Sequence, residues 1–172
     1  MSLDFTPIHQ YAAARIQQII DTRILNAPNN EPLQESAIIE MIIRLNDLLE
    51  AANKIKRVTF SDDVNLFPGV VKDITDAVKK VRDVICHLRG DGQFIAPDGS
   101  PKKRGQKLKS GEVFYQVRFN AVWGKGILFK DSTLTMESEY DDDVCFFYGP
   151  HRLYLKRHII RASEEAKAIL GL

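Results

Sequence analysis

Arg82 and His87 stand five positions apart in KKVRDVICHLRGDG (residues 79–92), with Asp83 directly after the arginine. A histidine with a reference pKa near 6.5 takes up or releases a proton around neutral pH. A guanidinium is always charged and offers an anion a planar fork of donors. The three residues are therefore either a catalytic group or the polar trim of a helix end.

Spacing alone decides little. In a chain with 11 arginines and 4 histidines, an arginine followed after four to six residues by a histidine is expected about once by chance. Arg152 and His158 supply a second match. Context favours the first, which lies where an amphipathic helix runs into Gly90 and Gly92. A helix end frees backbone groups and lets side chains converge. Five residues turn a continuous helix through about 500°, leaving Arg82 and His87 about 140° apart. They meet only if the helix yields near His87 or a second subunit brings its own pair.

The positioning elements are legible in the periodicity. Residues 8–25 carry Ile8, Tyr11, Ala12, Ile16, Ile19, Ile20 and Ile24 at helical spacing, with Pro7 suited to the first turn and Thr6 to the N-cap. After the turn cluster NAPNNEP, residues 33–56 repeat the pattern at Ile38, Met41, Ile42, Leu45, Leu48, Leu49, Ala52 and Ile55. Residues 57–69 read as a structured loop. A third helix over 70–89 presents Val71, Ile74, Ala77, Val78, Val81, Ile85 and Leu88, and a last helix over 154–170 presents Leu155, Ile159, Ala162, Ala166, Ile169 and Leu170. Between them lie a Gly-, Pro- and Lys-rich loop (91–111) and four segments rich in aromatic and β-branched residues, 112–123, 125–130, 132–138 and 143–149. The expected fold is mainly α (α+β): a four-helix bundle with a small antiparallel β meander inserted before the last helix. All 172 residues form one domain in this reading, with the basic loop and β insertion occupying 91–150.

Composition narrows the function. A net charge of +1, with 44% hydrophobic and 27% charged residues, describes a soluble globular chain with no overall field toward nucleic acid or membrane. Any nucleic-acid contact must come from a local patch. Cys86 and Cys145 sit in apolar patterns and read as two buried thiols rather than a disulfide. The start MSLDFTPIHQ has neither the basic nor the apolar region of a signal peptide, and no apolar run approaches the roughly 20 residues of a membrane span. The expected location is the cytoplasm. No cysteine–histidine spacing suits zinc, and no glycine loop, serine motif or metalloprotease motif is present, so neither a metal nor a cofactor is expected.

Three charged stretches remain. Lys102, Lys103, Arg104, Lys107 and Lys109 form a basic run without an acid, fit for a phosphate backbone or for plain solvation. The acidic run 137–143 could hold a hard cation but lacks the spacing of a calcium loop; it reads as solvated charge, or as the partner of the basic loop or of HRLYLKRH (151–158) in the same or a neighbouring subunit. The basic groups Arg152, Lys156, Arg157 and Arg161 at the start of the last helix oppose its dipole and call for anionic neighbours.

The segment VRDVICHLRGDG resembles the signature of the HEPN superfamily, the higher-eukaryote and prokaryote nucleotide-binding domains. The resemblance covers 8–90 and 154–170 in architecture, but only about ten residues in motif. It implies a helical bundle, a homodimer whose paired motifs form one cleft, and an RNA substrate. Many such proteins are metal-independent ribonucleases of toxin–antitoxin or phage-defence systems, which adds an antitoxin or other protein as a partner. Carried over, the motif's arginine is Arg82, its polar residue is Asp83 in place of the common asparagine, and its histidine is His87. Arg82 would hold a phosphate, His87 would move the proton of a ribose 2′-OH, and Asp83 would orient His87 or Arg82. The β insertion departs from the common core. It supports a rival expectation, a non-catalytic interaction module presenting Phe114, Tyr115, Trp123, Phe146 and Phe147 to a protein partner. In that stretch Val113, Tyr115, Val117, Phe119 and Ala121 share the face expected to pack on the bundle.

Overall fold

A computed structural model describes residues 7–26, 31–64, 71–86, 94–95, 101–102, 119–130, 135–148 and 151–172. Helix α2 (Glu31–Asn53) is the hub, packing against α1 (Ile8–Asp21), α3 (Ile74–Cys86) and α4 (Arg161–Leu170). Its expected stripe is buried from Ile38 through Ala52, because three helices cover three sides of it. Ile55 falls beyond the helix end and is 69% exposed. Helix α1 runs antiparallel to α2. The Arg15 guanidinium grips Glu40 with two bonds of 2.9 and 2.7 Å, and Arg44 lies over the Tyr11 ring. Pro7 itself holds the N-cap position of α1, one residue earlier than a first-turn proline, and its carbonyl accepts from Gln10 N–H.

Segment 57–64 leaves α2 as a loop and is tied down at once. Arg57 clasps Asp73 through two 2.8 Å bonds, and Asp73 in turn accepts Asp76 N–H at the start of α3. Thr75 donates to Val58 O at 2.7 Å. The loop therefore closes back on the first turn of α3, and Val58 and Val64 join the core.

Strands β1 (Phe94–Ile95) and β2 (Pro101–Lys102) form a two-residue antiparallel ladder inside the stretch expected to be loop throughout. The meander follows. Strand β3 (Phe119–Trp123) pairs with β6 (Val144–Tyr148), and between them β4 (Gly126–Lys130) and β5 (Thr135–Ser138) form a separate ribbon with an irregular register at Leu128. Ala121 and Trp123 pack on the bundle, in keeping with the alternation of that strand.

One element departs from expectation. His151–Tyr154, with its last residue expected to open the final helix (154–170), is a further strand, β7, paired with β6 and buried along its whole length. It feeds a π-helical turn, Leu155–Ile160, before α4 begins. The π turn marks a helix whose first residues obey tertiary bonds ahead of helical ones. Among the described residues no helix is long and apolar enough to cross a membrane.

Candidate functional site

Helix α3 buries Ile74, Ala77, Val78, Val81 and Ile85 on one side. That leaves Arg82 and Asp83 on its flank, with side chains 40% and 44% exposed. Arg82 Nη1 donates to Asp83 Oδ1 at 2.9 Å. Neighbouring helical residues point about 100° apart, so this pair forms only by both side chains leaning along the surface. Asp83 foremost, with Glu50 of α2 contributing, holds the Arg82 pKa above its ordinary value. The guanidinium is thus charged, half-open to solvent and countered by an exposed acid that another anion can replace. Cys86, expected to be buried, is exposed: four residues after Arg82, it shares that residue's open flank.

His87 lies outside the described residues, and so do Lys103, Arg104, Lys107 and Lys109. The chain of Lys102 is placed in β2, opposite Phe94. The structure therefore locates two of the three proposed catalytic residues and brings those two together.

The second arginine–histidine match has a different character. Arg152 on β7 is 6% exposed and His158 in the π turn is 1% exposed. Arg152 Nη1 donates to Glu139 Oε1 at 2.9 Å and to Glu137 O at 3.1 Å, while Nε and Nη2 both donate to Asp63 O. Every nitrogen of the fork is occupied. Tyr154 N–H donates to His158 Nδ1 at 3.1 Å, which leaves the proton on Nε2, and Nε2–H donates to Asp62 O at 2.7 Å. Burial first, with Arg152 adding to it, lowers the His158 pKa to about 4. This imidazole is neutral and has no nitrogen free for a substrate. Arg152 and His158 rivet loop 57–64 onto the meander.

The acidic run also finds its place. Asp143, fully buried as a side chain, accepts from Val144 N–H, Lys156 N–H and Arg157 N–H, and from the Arg157 guanidinium. It caps the π turn from outside the helix. Asp142 pairs with Arg157 at 2.8 Å and lies near Lys156, and Glu139 answers Arg152. Arg161 binds Asp62 at 2.9 Å and lies 3.8 Å from the Phe60 ring centre, and Arg157 lies 3.7 Å from that of Tyr140. Tyr140 OH donates to the Asp63 carboxylate. The basic start of the last helix therefore has the anionic neighbours its charge demands. A cleft of about 440 Å³ beside it is lined by Asn26, Trp123, Asp141, Asp142, Asp143 and Lys156. Two of its three carboxylates are already spent on Arg157. Among the described residues no group of three or more His, Cys, Asp or Glu is placed to hold a metal ion.

The interaction-module expectation loses three of its aromatics. Phe146 and Phe147 are 1% and 0% exposed, and the half-buried Trp123 donates its indole N–H to Leu25 O at 3.2 Å. Phe146 and Phe147 face inward because β6 is the central strand of its sheet, covered on both faces. Phe114 and Tyr115 lie outside the described residues. The pairing of the acidic run with 151–158, one of its expected readings, is realised in Asp142 and Asp143 on Arg157 and Glu139 on Arg152. The tie from Arg152 to the Asp63 carbonyl is the one for which the sequence carried no signal.

No family model, no curated protein and no solved structure matches this chain.

Proposed function

We propose that the chain is a HEPN-like RNA-binding protein and metal-independent endoribonuclease of a toxin–antitoxin or phage-defence type system, acting as a cytoplasmic homodimer. The observation that carries the reading is the state of Arg82: a half-exposed guanidinium near the end of an amphipathic helix, whose hydrogen-bond partner among the described residues is the exposed Asp83 carboxylate. A phosphate takes the place of the Asp83 carboxylate and receives two parallel N–H bonds from the fork. His87 of one subunit accepts the 2′-OH proton as that oxygen bonds to phosphorus. The partner subunit's copy protonates the departing 5′-oxygen, leaving a 2′,3′-cyclic phosphate. Arg82 stabilises the charge that builds on the phosphoryl oxygens.

The test is cleavage of RNA by purified protein in EDTA, compared with Arg82→Ala and His87→Ala. Activity in the parent and its loss in both variants is expected, and equal activity in all three removes the assignment.

A second reading, a module that binds a protein partner through the β insertion, is favoured by Ile127 and Leu128, exposed by 60% and 37% on β4. Replacing both with serine leaves RNA cleavage intact if the first reading holds, and abolishes partner capture if the second does.

A further inference from the structure

Where α1 ends, the chain turns left-handed at Arg23, φ 56°, before the single 3₁₀ turn Ile24–Asn26. Helix ends take this conformation most readily at glycine or asparagine, since any larger Cβ crowds the backbone. Backbone bonding does not call for arginine: Arg23 N–H donates to Ile20 O at 3.0 Å, which glycine would do equally. The side chain has another setting. It stands at the mouth of a pocket of about 110 Å³ that reaches into the core. Ile19, Leu25, Met41 and Leu155, all buried, form the floor. Half-buried Ile20 and Ile160 form the walls, and exposed Arg23, Asn26 and Lys156 form the rim.

The lining is apolar within and cationic at the mouth, and no carboxylate is among its described residues. The carbonyls of Gln18, Ile19 and Ile20, which end α1, accept from Thr22 and Arg23. Lys156 Nζ donates to the Asp142 carbonyl and lies 3.9 Å from the Asp142 carboxylate, so Arg23 is the principal cation of the rim. We propose that this pocket binds a short aliphatic carboxylate, with its chain on Met41 and Leu155 and its headgroup between Arg23 and Lys156. A cavity of this volume suits a chain of a few carbons and excludes a long acyl tail. The site shares no residue with the Arg82 flank, and the proposal stands independently of RNA cleavage.

Calorimetric titration of the full chain with hexanoate, hexylamine and acetate tests it, with the Met41 methyl NMR signal reporting location. Hexanoate binds and shifts the Met41 signal, acetate binds at least about tenfold more weakly for want of a chain, and hexylamine does not bind. Arg23→Gly weakens hexanoate by about tenfold or more while melting at the same temperature as the parent or higher, since glycine relieves the left-handed strain. Lys156→Gln weakens it less. Absence of hexanoate binding, equal affinity in Arg23→Gly, or equal binding of hexylamine overturns the proposal.

Discussion

Two regions of this chain carry an arginine followed by a histidine at similar spacing, and their surroundings have made them opposites. Arg152 and His158 lie under the meander with every polar atom engaged, four of the acceptors and donors being backbone groups. Arg82 lies on an open helix flank, and its hydrogen-bond partner among the described residues is the neighbouring Asp83 carboxylate. A buried guanidinium has to be saturated to be tolerated at all, and once saturated it is unavailable to a ligand. An exposed one is nearly idle for the fold and free for chemistry. The contrast separates a structural arginine from a candidate catalytic one without reference to motif.

The sharpest way to break that contrast is to remove each arginine in turn. Arg152→Ala strands Asp63 O, Glu137 O and the Glu139 carboxylate, and should cost ~3–5 kcal/mol in urea unfolding. Arg82→Ala should stay within ~0.5 kcal/mol of the parent, because its ion pair is exposed on both sides. Similar losses in the two variants would erase the distinction.

Acid supplies the next test. His158 and His151 both have pKa values lowered to about 4, in each case chiefly by burial. Asp62 O, Asp63 and Asp143 oppose the shift at His158, and Asp76 opposes it at His151 while Lys80 adds to it. Between pH ~6.5 and 4 the unfolded chain binds protons that the folded chain refuses. Stability from these two groups is complete above pH ~6.5 and is lost as the pH falls through 4, by up to ~3 kcal/mol for each. Urea midpoints measured from pH 7.5 to 4 should therefore fall, and His158→Gln should flatten the slope. An equally steep slope in that variant would mean that His158 is not buried neutral.

Asp143→Asn sharpens the comparison on a smaller scale. It keeps the shape of the cap but weakens three backbone bonds and the ion pair with Arg157, for a loss of ~2 kcal/mol. Amide exchange should rise first at Lys156 and Arg157. Uniform change across the chain would place the effect elsewhere.

The helices were largely legible because their burial is local in origin: a 3.6-residue stripe exists before any tertiary contact, and Ile38 through Ala52 were buried as the stripe requires. Strand β7 was not. His-Arg-Leu-Tyr shows no alternation, since all four residues are buried, and a histidine and an arginine look like surface residues until distant acceptors are supplied. The decisive partners of Arg152 are the Asp63 carbonyl and Glu139, 89 and 13 residues away in the chain. Periodicity cannot report a bond between a loop carbonyl and a strand that it does not know is there. The Arg82 flank was legible for the converse reason, as its surroundings come from its own helix.

The cap on the last helix has a consequence for how the chain can be cut and rebuilt. Asp143 belongs to the turn entering β6, yet it holds the amides that start the segment leading into α4. Arg152 and His158, from the same stretch, pin the loop between α2 and α3. A deletion that removes the meander and splices 118 to 155 would thus take away the helix's starting block and leave that loop unanchored. The meander and α4 should open and close together in hydrogen exchange, as a single cooperative unit. An insertion on this footing is no detachable ornament, and a minimal bundle made by trimming it should fail to fold.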